Sequence, residues 1–202
     1  GVDFVNVLVA CEESQAVCTE FRKLGHNAFS CDIVPCSGGH LEWHIMQDVL
    51  PLLNGNCMFT TMNDELHVIE EWDLIIAFPP CTYLTVTGNR WFNVKRYGFA
   101  AVNRQKEREH AIAFFMAFLK SNCKHLAIEN PVGIMSAVYA KPTQIIQPYM
   151  FGDPFEKKTC LWLRDLPRLE PTEIVTPPPR VVFKSGKTGP AWYYNVSTKD
   201  PV

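Results

Sequence analysis

Four short apolar runs punctuate the chain: FVNVLVAC (4–11), NAFSCDIV (27–34), WDLIIAFP (72–79) and HLAIENP (125–131). Each is brief, dense in β-branched or aromatic residues and followed by a polar break, the pattern of a buried strand. Two stretches carry helical periodicity instead. SQAVCTEFRKLG (14–25) is amphipathic, with Ser14 as its expected N-cap and Gly25 as its expected C-cap. NRQKEREHAIAFFMAFLKSN (103–122) crowds charge into its start and apolar residues into its second half. Strand–helix–strand alternation predicts an α/β fold, a mostly parallel sheet with helices on both faces. After Pro142 the texture changes. QPYMFGDPFEKKTCLWL (147–163) reads as a loop followed by a strand, and PPPRVVFKSGKTGPAW (177–192) as irregular.

The 202 residues, 47% hydrophobic and 20% charged, suffice for one sizeable core. No apolar run approaches the ~20 residues that span a bilayer. GVDFVNVLVA lacks the basic start and cleavage site of a signal peptide, so a cytoplasmic setting is expected, with no membrane partner. Eight cysteines occur without any CxxC pair. That spacing fits neither a zinc ribbon nor a small disulfide scaffold, so no metal is expected. The formal net charge of −2 gives a polyanionic partner no general support. One local surface does: Arg90, Lys95, Arg96, Arg104, Lys106 and Arg108 interleave with Trp91, Phe92, Tyr97 and Phe99. Cations for phosphates and rings for bases are what nucleic-acid contact asks for, although a solvated helix start reads the same way.

Parallel sheets bind ligands beyond the carboxyl ends of their strands. That directs attention to Ala10–Ser14, Asp32, Asp48, Pro79–Cys81 and Glu129–Asn130. The turn after the first strand, ACEESQ, has no glycine, which speaks against a phosphate cradle and so against NAD, FAD and ATP. A cofactor without phosphates stays open. S-adenosylmethionine, with its cationic sulfonium and amino-acid tail, suits acids such as Glu12 and Glu13. Asp32, 20 residues beyond Glu12, stands where an acid commonly bonds ribose hydroxyls. Asp48 could bond an adenine amino group, or cap a helix. The candidate cofactor residues are Glu12, Ser14, Asp32, Asp48 and Pro79.

An apolar strand ending in Pro-Pro, as in DLIIAFPPCTYL (73–84), resembles the substrate strand of DNA methyltransferases. By that resemblance, enzymes that methylate an exocyclic amine carry Asn or Asp before the prolines, to accept from the amine, and an aromatic ring after them, to stack on the base. Phe78 and Cys81 occupy those places and serve neither purpose. Transfer to carbon 5 of cytosine wants a thiolate, which adds at C6 and makes C5 an enamine nucleophile. It also wants an acid at N3 to absorb the charge that builds there. Glu129 ends another predicted strand, and Pro131 holds Asn130 extended.

In this order, FPPC then IENPV resembles the DNA (cytosine-5) methyltransferases, which carry Pro-Cys on one strand and Glu-Asn-Val on another. IENPV differs by one inserted proline. YMFGDPFEKKTCLWL (149–163) resembles a later segment of that family, with lysines in place of its arginines. The likeness spans about residues 5–165 and is closest to compact phage- and prophage-encoded members. It implies a Rossmann-like methyltransferase fold, with residues 1–165 as catalytic domain and 166–202 as an irregular, minimal target-recognition region. It implies S-adenosylmethionine as cofactor and DNA, with a flipped-out cytosine, as partner. By the same resemblance Cys81 is nucleophile, Glu129 binds and protonates N3, Asn130 orients the loop, and Lys157 and Lys158 contact the target strand. Arg90, Lys95 and Arg96 would hold phosphates as a loop closes over DNA. RNA or a free cytosine nucleotide as substrate, an inactive nucleic-acid-binding module, and an inert buried Cys81 remain alternatives.

Overall fold

A computed structural model describes residues 4–177 and 179–191. The chain divides into two units. The larger holds the residues up to Gln144 together with Cys160–Arg168, and the smaller holds Ile145–Thr159 and the residues from Leu169 on. In chain order the first elements are β1 (Asn6–Ala10), α1 (Ala16–Lys23), β2 (Asn27–Asp32) and β3 (His44–Met46). Then come a hairpin of β4 (Cys57–Thr60) and β5 (Leu66–Ile69), followed by β6 (Leu74–Ala77). The short α2 (Val94–Tyr97) leads into α3 (Phe99–Lys120), and β7 (His125–Pro131) into α4 (Met135–Val138). The last strands are β8 (Gln144–Ile146), β9 (Thr159–Arg164), β10 (Arg180–Val182) and β11 (Thr188–Pro190).

A seven-stranded sheet runs in the order β3-β2-β1-β6-β7-β9-β8. The pairings of β1 with β2, β2 with β3, β1 with β6 and β6 with β7 are all parallel. With the hairpin set aside, the order follows the doubly wound pattern until its last two strands, which are exchanged.

The alternation of side chains along β1 assigns the two layers. Leu8 and Ala10 join Phe29, Ile45, Ile75, Leu126 and Ile128 beneath Phe115 and Phe118 of α3. Val7 and Val9 point the other way and join Ala28 and Cys18 of α1. Helices therefore cover both faces, and β1 is buried on both. Each large apolar side chain so enclosed contributes about 1.5–3 kcal/mol.

The β4–β5 hairpin, which alternates buried and exposed positions, was not among the elements expected from the sequence. Phe59 stands edge-on to Phe29 at 5.1 Å and anchors it in the core. The long helix begins at Phe99, four residues before the expected start, directly after Gly98.

Helix α1 ends as expected: Gly25, at φ 88, donates to the Arg22 carbonyl. Its start is different. Ser14 Oγ lies 3.5 Å from the Ala16 amide, too long for an effective cap. Glu12 does that work instead, accepting from Val17 N at 2.6 Å and Cys18 N at 3.1 Å.

In the smaller unit, Gly152 N donates to Glu173 O, and Val175 N to Tyr149 O. Part of the stretch expected to be irregular forms the antiparallel β10–β11 hairpin. Arg180 of that hairpin binds Glu156. The rest of the expected recognition region, from residue 192, lies outside the described residues. Among the described residues no helix is long and apolar enough to cross a membrane.

Candidate functional site

The carboxyl ends of β1, β2, β3 and β6 open into a cleft of about 380 Å³. Asp32 and Asp48 both line it, with Cys11, Pro80 and Tyr83. Each acid spends one oxygen on its own turn: Asp32 Oδ1 accepts from Val34 N at 3.2 Å, and Asp48 Oδ1 from Leu50 N at 3.0 Å. The helix-cap alternative for Asp48 is not realised: the short turn Leu50–Leu52 has Val49 at its N-cap with no side-chain bond, and Asp48 closes its own turn while still lining the cleft. The far wall belongs to α3, through Glu107, His110, Ala111 and Phe114. Their spacing of three, one and three residues is one face of a helix, a signal the sequence contained.

Glu12 and Ser14 line a neighbouring depression of about 310 Å³ with Glu13 and Phe78, and Cys11 borders both spaces. The structure therefore separates the expected cofactor residues into two groups. Glu12 is buried with both oxygens committed to α1, so it is a capping group and not a free ligand. Its carboxyl is held above the usual carboxylate range by burial, which outweighs those two amide bonds. Pro79 is buried behind the cleft, and Pro80 supplies the wall in its place.

The glycine-free turn is built by left-handed Cys11 (φ 60) and Gln15 (φ 61). Such residues cost roughly 1–2 kcal/mol of strain each. The loop 36–40 packs onto them. A Cβ on Gly38 would sit 2.6 Å from Ser14 O and 2.7 Å from the Gln15 side chain. Gln15 in turn bonds the His40 backbone in both directions. The amides of Val17, Cys18 and Thr19 are all engaged within the turn and helix, leaving them no donor for a pyrophosphate.

Cys81 follows β6 in a tight turn, its carbonyl accepting from Leu84 N and Thr85 N at 2.9 and 3.1 Å. The side chain is half-buried. Strand β7 lies alongside, with Ala77 opposite Ile128, so Glu129 and Asn130, still within β7, run past the end of β6 beside the residues that lead to Cys81. Asn130, 1% exposed, donates from Nδ2 to Pro79 O at 2.8 Å, while its Oδ1 is buried without a hydrogen-bond partner. Further on, Ile134 N bonds Leu84 O at 2.9 Å, and Thr85 bridges to Gly133. A Cβ at Gly133 would overlap the Leu84 carbonyl. Backbone contacts and one buried amide thus hold the two strand ends together. Glu129 also lends its charge to burial in raising the Cys160 thiol on β9.

The basic–aromatic segment has two parts. Arg104 and Arg108 of α3 face inward: Arg108 Nε donates to Tyr83 O at 2.8 Å and lies 3.4 Å over the Phe92 ring, and Arg104 Nη2 reaches Thr82 O at 3.4 Å. They steady the turn that carries Cys81. Arg90, Lys95 and Arg96 are exposed, Arg90 against Trp91 and Arg96 against Tyr97. Lys157 and Lys158 belong to the smaller unit and are exposed there. Among the described residues no cluster of three His, Cys, Asp or Glu could hold a metal ion. No protein-family model matches the chain, and no curated protein matches it significantly.

Proposed function

We propose that this chain methylates carbon 5 of cytosine in DNA, with S-adenosylmethionine as methyl donor. The observation that carries the reading is the junction of β6 and β7: a half-buried thiol, Cys81, on a turn fastened by Asn130 to the strand end that bears Glu129.

The residues around the cleft suit this donor. Its roughly 380 Å³ falls within the range of small-molecule sites. Asp32 and Asp48 supply acceptors for sugar hydroxyls and a ring amine. The engaged amides of α1 favour a cofactor without phosphates. The group supplies an electrophilic methyl when bound; the remaining chemistry belongs to the protein. Cys81 Sγ, as thiolate, adds to C6, and the Glu129 carboxyl donates a hydrogen bond to N3 as negative charge moves there. C5 thereby gains the electron density to take up a methyl group. Transfer of the C5 proton to a solvent base and expulsion of the thiolate restore the aromatic ring. Asn130 keeps the Pro79 carbonyl, and so the turn, in one place during these steps. Exposed Arg90, Lys95, Arg96, Lys157 and Lys158 are available for phosphates.

DNA carrying 5-fluorocytosine tests the proposal, because fluorine cannot leave as a proton does. With the methyl donor present, the protein is expected to remain covalently joined to the DNA and to migrate as an adduct in a denaturing gel. Cys81→Ser is expected to lose both adduct and methyl transfer, the latter by ~10⁴-fold or more. An adduct retained by Cys81→Ser would overturn the role of this cysteine.

A further inference from the structure

Beside the cleft lies a second pocket of about 490 Å³, which the reaction described above does not use. Its walls are Tyr83, Trp91, Tyr97, Asn103, Arg104 and Glu107. Tyr83 and Glu107 also line the cleft, so the two spaces share a wall. Three aromatic rings in one open pocket ask for a flat or cationic guest. Trp91 and Tyr97 stand 5.1 Å apart at 46°, not stacked face to face, and Trp91 is 41% exposed.

The charge chooses between guests. The Arg104 guanidinium sits 5.0 Å from the Tyr83 centroid, and its Nε is buried without a hydrogen-bond partner. A quaternary ammonium would meet that positive charge. A nucleobase is flat, neutral and rimmed with donors and acceptors that Asn103, Arg104 and Glu107 can match. Exposed Arg90, Lys95 and Arg96 neighbour the pocket in sequence, ready for the phosphates on either side of such a base. Bases inside a duplex are already stacked on both faces, so only an unpaired base can use these rings.

We propose that this pocket binds an unpaired nucleobase, and that the chain engages single-stranded nucleic acid near its reactive thiol. The link to cytosine methylation rests on the function proposed above; the pocket itself does not. Fluorescence anisotropy with labelled oligonucleotides tests it in the absence of any methyl donor, using one sequence as single-stranded DNA, single-stranded RNA and duplex DNA. The single strands are expected to bind at least about tenfold more tightly than the duplex, and Trp91→Ala to weaken them about tenfold. Tyr97→Ala provides a second reading on the same wall. The tighter of the two single strands names the polymer. Equal affinity for duplex, or Trp91→Ala and Tyr97→Ala both within twofold of the parent, would overturn the site. Strand binding that depends on Trp91 but yields no fluorocytosine adduct keeps the pocket and removes the methyltransferase reading. An adduct on duplex DNA, unaffected by Trp91→Ala, does the reverse.

Discussion

Cys11 follows β1 and Cys81 follows β6, and these strands are neighbours in the sheet. Cys11 lies in a turn closed on itself: left-handed backbone, amides spent on Glu12, and a loop packed across the top. Its thiol is pushed up to about 12, first by burial and then by Asp32 and Asp48. Cys81 lies in a turn held from outside, by Asn130, Arg104 and Arg108, and its side chain is half-buried like that of Cys11. Both side chains are half-buried, so what separates the two turns is how each is supported and which charges face it: Asp32 and Asp48 at Cys11, and Arg104 and Arg108 beside the turn of Cys81.

Alkylation should break or sharpen this contrast most strongly. A thiol moved from 9.0 to about 12 loses roughly 10³-fold of its thiolate at pH 8. Under iodoacetamide, peptide mapping is expected to find Cys81 modified while Cys11, Cys18 and Cys31 persist. Labelling of Cys11 as fast as Cys81 would erase the distinction. Next in size is Asn130→Ala, which removes the tie to Pro79. Methyl transfer is expected to fall about 10²-fold from misplacement of the turn, with little change in binding of the methyl donor. Asp48→Asn tests the side of the cleft next to Cys11. Calorimetry is expected to show donor affinity reduced about tenfold, with the rate at saturation nearly preserved.

The smallest effect concerns Glu12. Its folded pKa is raised, so folding favours the neutral acid. That contribution is fully present below the ordinary value near 4.5 and is lost as pH rises through the raised value. Glu12→Gln cannot titrate. The advantage of the parent over the variant, on the order of a few degrees in Tm, should therefore be greatest near pH 4 and shrink toward pH 7. An advantage that grows with pH would show that the charged cap is the favoured form.

Much of this frame was legible in the residues. The central strands and both main helices follow from runs whose burial leaves one reading. β3 has only three residues, too few for a period, and β4 and β5 alternate around a turn whose left-handed Asp64 is not the usual glycine. Ser14 looked like the cap because local rules weigh the adjacent residue. Glu12 won because its longer side chain reaches two amides from outside the helix. Asp32 and Asp48 could be placed from strand ends alone. Arg108 could not, since its bond to Tyr83 joins residues 25 apart through a fold that no spacing rule encodes.

Gly133 has a consequence for how such chains are read. It permits the Leu84 carbonyl to touch the exit of β7, and any side chain there would drive a wedge between the two strand ends. A relative with alanine at this position would keep the FPPC and IENP signatures letter for letter, yet the segments after β6 and β7 could no longer close on each other. Signatures count the parts; this glycine decides whether the two chain segments that carry them can touch.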